Sequence, residues 1–231
     1  HRLQPDWRSG SHLQRFGSIR PYVEGRTVLD LGAASGVGRP DWIHQAIERV
    51  ARETVGIDLD RDLIAKARSL GAEILEADVQ TFDLGRTFQT VFAGELIEHI
   101  DNQAGFLAAV RRHLDPDGVF VLTTPNAFRV TNFAYRLGNS PVRVNADHVC
   151  WFCEQTLTQL LERNGFQIEQ LGYVAHATRG WLRGGIMRAV RWLLPERLAW
   201  NTLIVVARLG DDDGLGARFA RMRATEVLAR N

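Results

Sequence analysis

The stretch Val28-Leu29-Asp30-Leu31-Gly32-Ala33-Ala34-Ser35-Gly36-Val37-Gly38 decides the fold. A short apolar run, Thr27 to Leu31, breaks into a loop of small residues. Trp42, Ile43, Ala46, Ile47 and Val50 then recur at helical spacing over about 40–52. Strand, tight turn and helix in succession form the building unit of a parallel sheet. An acid, Asp30, stands directly before the turn.

Working outward, the unit repeats. A strand at 54–58 ends at Asp58, and a helix over 60–70 is stopped by Gly71. A strand at 73–76 leads to Ala77-Asp78, and another at 88–93 to Gly94-Glu95. A helix over 101–114 stops at Asp115-Pro116-Asp117-Gly118, whose proline and glycine suit a turn. A strand at 119–123 then ends at Thr124-Pro125-Asn126. Upstream, residues 11–24 read as a helix turning at Glu24-Gly25. The pattern predicts an α/β fold: a doubly wound, mostly parallel sheet with helices on both faces. Such sheets bind ligands at the carboxyl ends of their strands, where the polar and glycine-rich residues collect here.

The second half differs. Residues 127–149 read as irregular, 155–164 as a helix and 166–174 as a strand. A Trp- and Arg-rich insertion at 176–199 separates that strand from the last one, at 201–209, which predicts an antiparallel closing hairpin at the sheet edge. One domain is expected over 1–210. A tail over 211–231 carries a polar link and a short helix.

The 231 residues suit one well-cored domain, and 45% hydrophobic with 24% charged residues is ordinary for a globular chain. No apolar run approaches the ~20 residues of a membrane span, and no basic-then-apolar leader opens the sequence; the expected compartment is the cytoplasm. A net charge of +1 demands no nucleic-acid partner. Cys150 and Cys153 form a C-x-x-C, but no second pair completes a zinc site and bulky Trp151-Phe152 lie between them. Two partly buried thiols are expected rather than a redox or metal pair. The sequence leaves the oligomeric state open.

A dinucleotide fingerprint would need glycines at 32, 34 and 37, where the chain has Ala34 and Val37, and a phosphate loop would need Gly-Lys-Ser/Thr, which is absent. The pattern acid-x-Gly-x-small-x-Gly instead resembles motif I of the class I S-adenosylmethionine-dependent methyltransferases, whose fold is Rossmann-like. The resemblance implies that Gly32, Ala33, Ala34 and Gly36 let the backbone approach the methionine moiety, and that Asp30 accepts from its amino group. Ala34 stands where a glycine is usual and requires φ below zero. By the same resemblance Asp58, with Leu59, takes the ribose hydroxyls, and Asp78, with Val79, the adenine amino group. Aspartates that merely cap strand-to-helix turns explain each acid alone but not three at successive strand ends in this order.

His12-x-x-Arg15-Phe16 is similar to a His-x-x-Arg-Tyr helix in which the arginine holds the donor's carboxylate; Phe16 departs from it. Gly94-Glu95-Leu-Ile-Glu98-His99-Ile100, Leu114 to Gly118, Thr124-Pro-Asn126 and Asp147-His148 resemble the ubiquinone-biosynthesis O-methyltransferase group. The likeness spans about residues 10–175 and adds Glu95 to the cofactor set.

On the acceptor side Glu95, Glu98 and His99 fall at i, i+3 and i+4, one face of a helical turn, and His148 comes from the irregular segment. Glu95, Glu98, His99 and His148 are candidate ligands for Mg²⁺, Mn²⁺ or Zn²⁺, as in small-RNA 2′-O-methyltransferases. Without a metal, His148 or His99 is the candidate catalytic base, Glu98 a structural partner. The expected reaction is transfer of a methyl group to a small hydroxylated acceptor. RNA 2′-O-methylation and a non-catalytic donor-binding domain are the alternatives. The basic, amphipathic stretch 181–195 could form a lid, a membrane-surface patch, a dimer face or a helix packed on its own sheet.

Overall fold

The structure, a computed structural model, describes residues 14–142, 144–174 and 192–210. His12, the tail 211–231 and most of the insertion lie outside the described residues. Helix α1 (Gln14–Val23) precedes strand β1 (Thr27–Leu31). Helix α2 (Ile43–Glu48), β2 (Glu53–Asp58), α3 (Arg61–Ser69), β3 (Ile74–Glu76), β4 (Phe88–Gly94), α4 (Gln103–Arg112) and β5 (Leu114–Pro125) follow in turn. Beyond them come α5 (Val130–Leu137), α6 (Glu154–Arg163), β6 (Phe166–Val174) and β7 (Thr202–Leu209).

Seven strands form one sheet in the order β3-β2-β1-β4-β5-β7-β6. The first five are parallel to their neighbours, while β7 runs antiparallel to both β5 and β6. Strand β7 therefore enters between β5 and β6, as a closing strand in the predicted orientation. No helix among the described residues is long and apolar enough to cross a membrane.

Alternation along the strands fills two cores. On one face Leu29, Leu31, Phe120, Leu122, Leu203 and Val205 pack with Phe106 and Val110 of α4 and Leu157 and Leu161 of α6. On the other, Val28, Val119, Val121, Ile204 and Val206 meet Ile19 and Val23 of α1 and Ile47 of α2. A period of two with both faces covered is what a doubly wound sheet requires, and each such side chain contributes about 1.5–3 kcal/mol by burial.

Three expectations need correction. The helix over 40–52 shortens to Ile43–Glu48, because Trp42 is extended at its N-cap and the chain tightens into a turn after Glu48, where the Val50 amide donates to the Ile47 carbonyl. The segment Asp115–Gly118 does not separate helix from strand but is taken up within β5. There Phe88 pairs with Leu114 and Thr90 with Val119, so the extra residues form an irregularity in the ladder. The irregular stretch 127–149 contains α5. In the C-x-x-C, Cys153 does open a helix, α6, but both thiols are free and partly buried.

Candidate active site

The residues singled out in the sequence gather at the carboxyl edge of the parallel strands. In the loop after β1, Gly32 and Gly36 have φ of 74° and 85°, a region open to glycine, whereas Ala34 is not among the positive-φ residues. The loop is tied to β2. Gly32 and Ala33 donate to the Ile57 carbonyl at 2.9 and 3.1 Å, and the Ala34 amide donates to Asp58 Oδ2 at 2.9 Å. Asp58 Oδ1 accepts from the amides of Leu59 and Asp60 at 2.8 and 3.0 Å. A carboxylate offers about four lone-pair positions, so Asp58 joins two loops and keeps capacity for one further donor. Leu59 beside it is 65% exposed, an apolar surface facing solvent.

After β3, Asp78 accepts from the Gln80 amide at 2.9 Å, and Val79 is buried. Gln80 in turn accepts from the Asn102 amide at the start of α4. From the first turn of α1, Arg15 Nη2 comes within 3.4 Å of where a Cβ on Gly94 would stand. That lays its guanidinium over the end of β4.

Two neighbours brace this loop: Trp42, expected in the apolar stripe of the helix but placed at its extended N-cap, and His44, for which no role was expected from the sequence. The Trp42 indole donates to the Ala33 carbonyl at 2.8 Å. His44 Nδ1 lies 2.8 Å from Asp30 Oδ2, with both side chains buried. The His44 ring needs the absence of a side chain at Gly56, where a Cβ would lie 2.7 Å from its Cε1. His44 falls outside the apolar stripe Ile43-Ala46-Ile47-Val50, so helical periodicity held no signal for it.

A second cluster begins at Glu95, whose φ of 54° is left-handed for a residue with a Cβ. Such backbone costs about 1–3 kcal/mol and gathers at functional sites. Residues Ile97–His99 then form a 3₁₀ turn, not an α-helical one. These two departures separate Glu95 from the others. Glu98, His99 and His148 each offer a ligand atom, all within 4.8 Å of one another, and Glu95 falls outside that group. The His148 loop is docked by main chain, since Val149 N donates to the Glu98 carbonyl at 2.9 Å. The His99 and His148 rings meet edge to face at 4.5 Å.

Glu98 is 1% exposed, and its Oε2 accepts from the Thr124 hydroxyl at 2.9 Å. Burial, reinforced by the neighbouring Glu95, pushes its carboxyl up to about 8. Burial likewise holds Glu95 above the usual carboxyl range, against the charge of Arg15. Burial, with His99 alongside, keeps His148 below the ordinary histidine value. At this site Glu95 Oε1, Glu98 Oε1 and His148 Nδ1 are buried and have no hydrogen-bond partner among the described residues. Glu95 and His148 line a pocket of about 210 Å³ with Pro125, Asn126, Arg129 and Trp151, at the ends of β4 and β5.

Residues 2–171 match a family described as "Methyltransferase domain". The chain is 32% identical over 158 residues to a "probable S-adenosylmethionine-dependent methyltransferase" of Mycolicibacterium smegmatis, covering 66% of this chain and 56% of that protein. It is 29% identical over 144 residues to the ubiquinone biosynthesis O-methyltransferase of Paramagnetospirillum magneticum, covering 57% and 55%. The chain thus spans little more than half the length of these curated relatives. In fold it resembles an S-adenosylmethionine-dependent methyltransferase of Mesorhizobium loti, with a TM-score of 0.59, 20% identity and coverage of 86% and 98%. It also resembles a glycopeptide N-methyltransferase complexed with S-adenosylmethionine, with a TM-score of 0.57, 19% identity and coverage of 87% and 93%.

Proposed function

The chain belongs to the methyltransferase-domain family, and on that basis we propose that it transfers a methyl group from S-adenosylmethionine to an oxygen of a small hydroxylated acceptor. The observation that carries the reading is the placement of Glu95. It directly follows Gly94, at the strand end over which Arg15 lies, and also lines the pocket that holds His148, so the proposed donor and acceptor surfaces would meet at one residue.

S-adenosylmethionine supplies an electrophilic methyl on a sulfonium. The acceptor oxygen's lone pair forms the new C–O bond while the C–S pair returns to sulfur, giving S-adenosylhomocysteine. The loop Gly32–Gly36 and Arg15 receive the methionine end, Asp30 acts on its amino group, and Asp58 with Leu59 and Asp78 with Val79 address ribose and adenine. His148, kept neutral by burial, takes the hydroxyl proton, with His99 as the adjacent imidazole. Alignment of the two reactants in a water-poor pocket supplies much of the rate.

A divalent cation fits the same residues. Glu98 Oε1 and His148 Nδ1 are buried and unpartnered among the described residues, and carboxylate with imidazole suits Mg²⁺, Mn²⁺ or Zn²⁺. Glu98, His99 and His148 would hold it, and it would supply a lowered hydroxyl pKa.

Single-turnover transfer from methyl-labelled S-adenosylmethionine to a panel of catechols, sugars and amines tests the proposal. Labelled ether products are expected. Donor binding with no transfer to any of them would instead indicate a binding domain.

A further inference from the structure

Resting on that reading of the pocket, we propose that Arg129 anchors an anionic group of the acceptor, a carboxylate or a phosphate. Arg129 lines the same pocket as Glu95 and His148. Its Nε donates to Asn132 Oδ1 at 3.1 Å, and among the described residues no carboxylate lies within ion-pair distance of it. A guanidinium carries five donors in a rigid fork, so the two Nη groups remain for a ligand. Oxyanions match that fork with paired, charge-assisted hydrogen bonds.

The surroundings hold the arginine in place. Asn132 is buried, and its amide donates to the Ala127 carbonyl at 2.8 Å. Asn126 donates to the carbonyls of Arg197 and Trp200 and accepts from the Phe128 amide. The loop bearing Arg129 is therefore bonded on both sides to buried amides. Arg129 is also the N-cap of α5, where no side chain caps the helix, so the first-turn amides add positive potential beside the guanidinium. Trp151 and Val144 supply apolar wall in the same pocket. An unpaired cation, an exposed indole and a volume near 210 Å³ together suit a single ring or short apolar body bearing an oxyanion. The hydroxyl to be methylated would then be read at the His148 side and the anion at Arg129.

The test is a calorimetric titration of the full chain, saturated with S-adenosylhomocysteine, using benzoate, phenyl phosphate and benzyl alcohol. Both anions should bind at least about tenfold more tightly than the alcohol, or one of them should, naming the group read. Arg129→Gln should abolish that preference while leaving S-adenosylhomocysteine affinity unchanged, which also reports a native fold. Arg129→Lys, keeping the charge without the fork, should retain part of it. Equal binding of anion and alcohol by the wild-type chain, or a preference surviving in Arg129→Gln, would overturn the assignment. Because binding is read and not turnover, failure of methyl transfer would count against the proposed function alone.

Discussion

The Nδ1 atom of His44 lies 2.8 Å from Oδ2 of Asp30, with side-chain exposures of 0% and 5%. Burial works to lower the histidine pKa, but the hydrogen bond and charge of Asp30, helped by Glu48, outweigh it and raise it above the ordinary 6.5. The native state therefore favours the imidazolium. Its stabilisation is complete below pH 6.5 and is lost as pH rises through the raised value. His44→Gln should cost about 3–5 kcal/mol at low pH by leaving Asp30 buried without its partner, and less at high pH. Urea unfolding from about pH 5.5 to about pH 9 checks this; a pH-independent difference between the two proteins would refute it.

Gly56→Ala should destabilise by about 1–3 kcal/mol through overpacking. The new Cβ would stand 2.7 Å from His44 Cε1 and 2.8 Å from Ala33 Cβ. His44→Ala in the same chain should recover part of the loss, because the two sites share one space. Strictly additive losses in thermal unfolding would show that the contact relaxes elsewhere.

Asp58→Ala removes the acceptor of the Ala34, Leu59 and Asp60 amides. A loss of about 1–3 kcal/mol of stability is expected, with a comparable loss in S-adenosylmethionine affinity. Calorimetry on the folded variant separates the two. Weakened folding with unchanged affinity would leave Asp58 as a loop tie alone.

Glu98 keeps its proton in the native state up to about pH 8, whereas an unfolded glutamate releases it near 4.5. Stability attributable to this group therefore falls as pH rises between those values, and Glu98→Gln should flatten that slope. A divalent cation on Glu98, His99 and His148 should act the other way. Mn²⁺ or Zn²⁺ should raise the melting temperature of the wild-type chain at about pH 8, and His148→Ala should lose the effect. No response to either metal, or the same response in His148→Ala, would remove the cation from the site.

The gathering of acids and glycines at strand ends was legible in the sequence because it is local. Asp30, Gly32, Asp58 and Asp78 sit where an apolar run meets a turn, and a strand end is recognisable from a few consecutive residues. The cluster around Glu98 and His148 depends on joints that no local pattern carries. Helical spacing put Glu95, Glu98 and His99 on one face. The left-handed backbone at Glu95 and the 3₁₀ turn after it instead left Glu98 and His99 grouped with His148. The Pro and Gly of Asp115–Gly118 predict a turn between helix and strand, but pairing with β4 takes those residues up within β5 as an irregularity in the ladder.

By itself, then, the sequence determined a strand-turn-helix repeat, the order of its acids and the antiparallel end of the sheet. The 3.6- and 2-residue periods and the conformational freedom of glycine act within a few residues, so they are written in the chain. Tertiary structure alone decided that Trp42 and His44 brace the loop after β1, that the His148 loop docks on the Glu98 carbonyl, and that Arg129 meets Glu95 in one pocket. Those contacts join segments whose separation along the chain says nothing about distance. They exist because parallel pairing of β1 with β4 and of β4 with β5 sets the ends of these strands side by side.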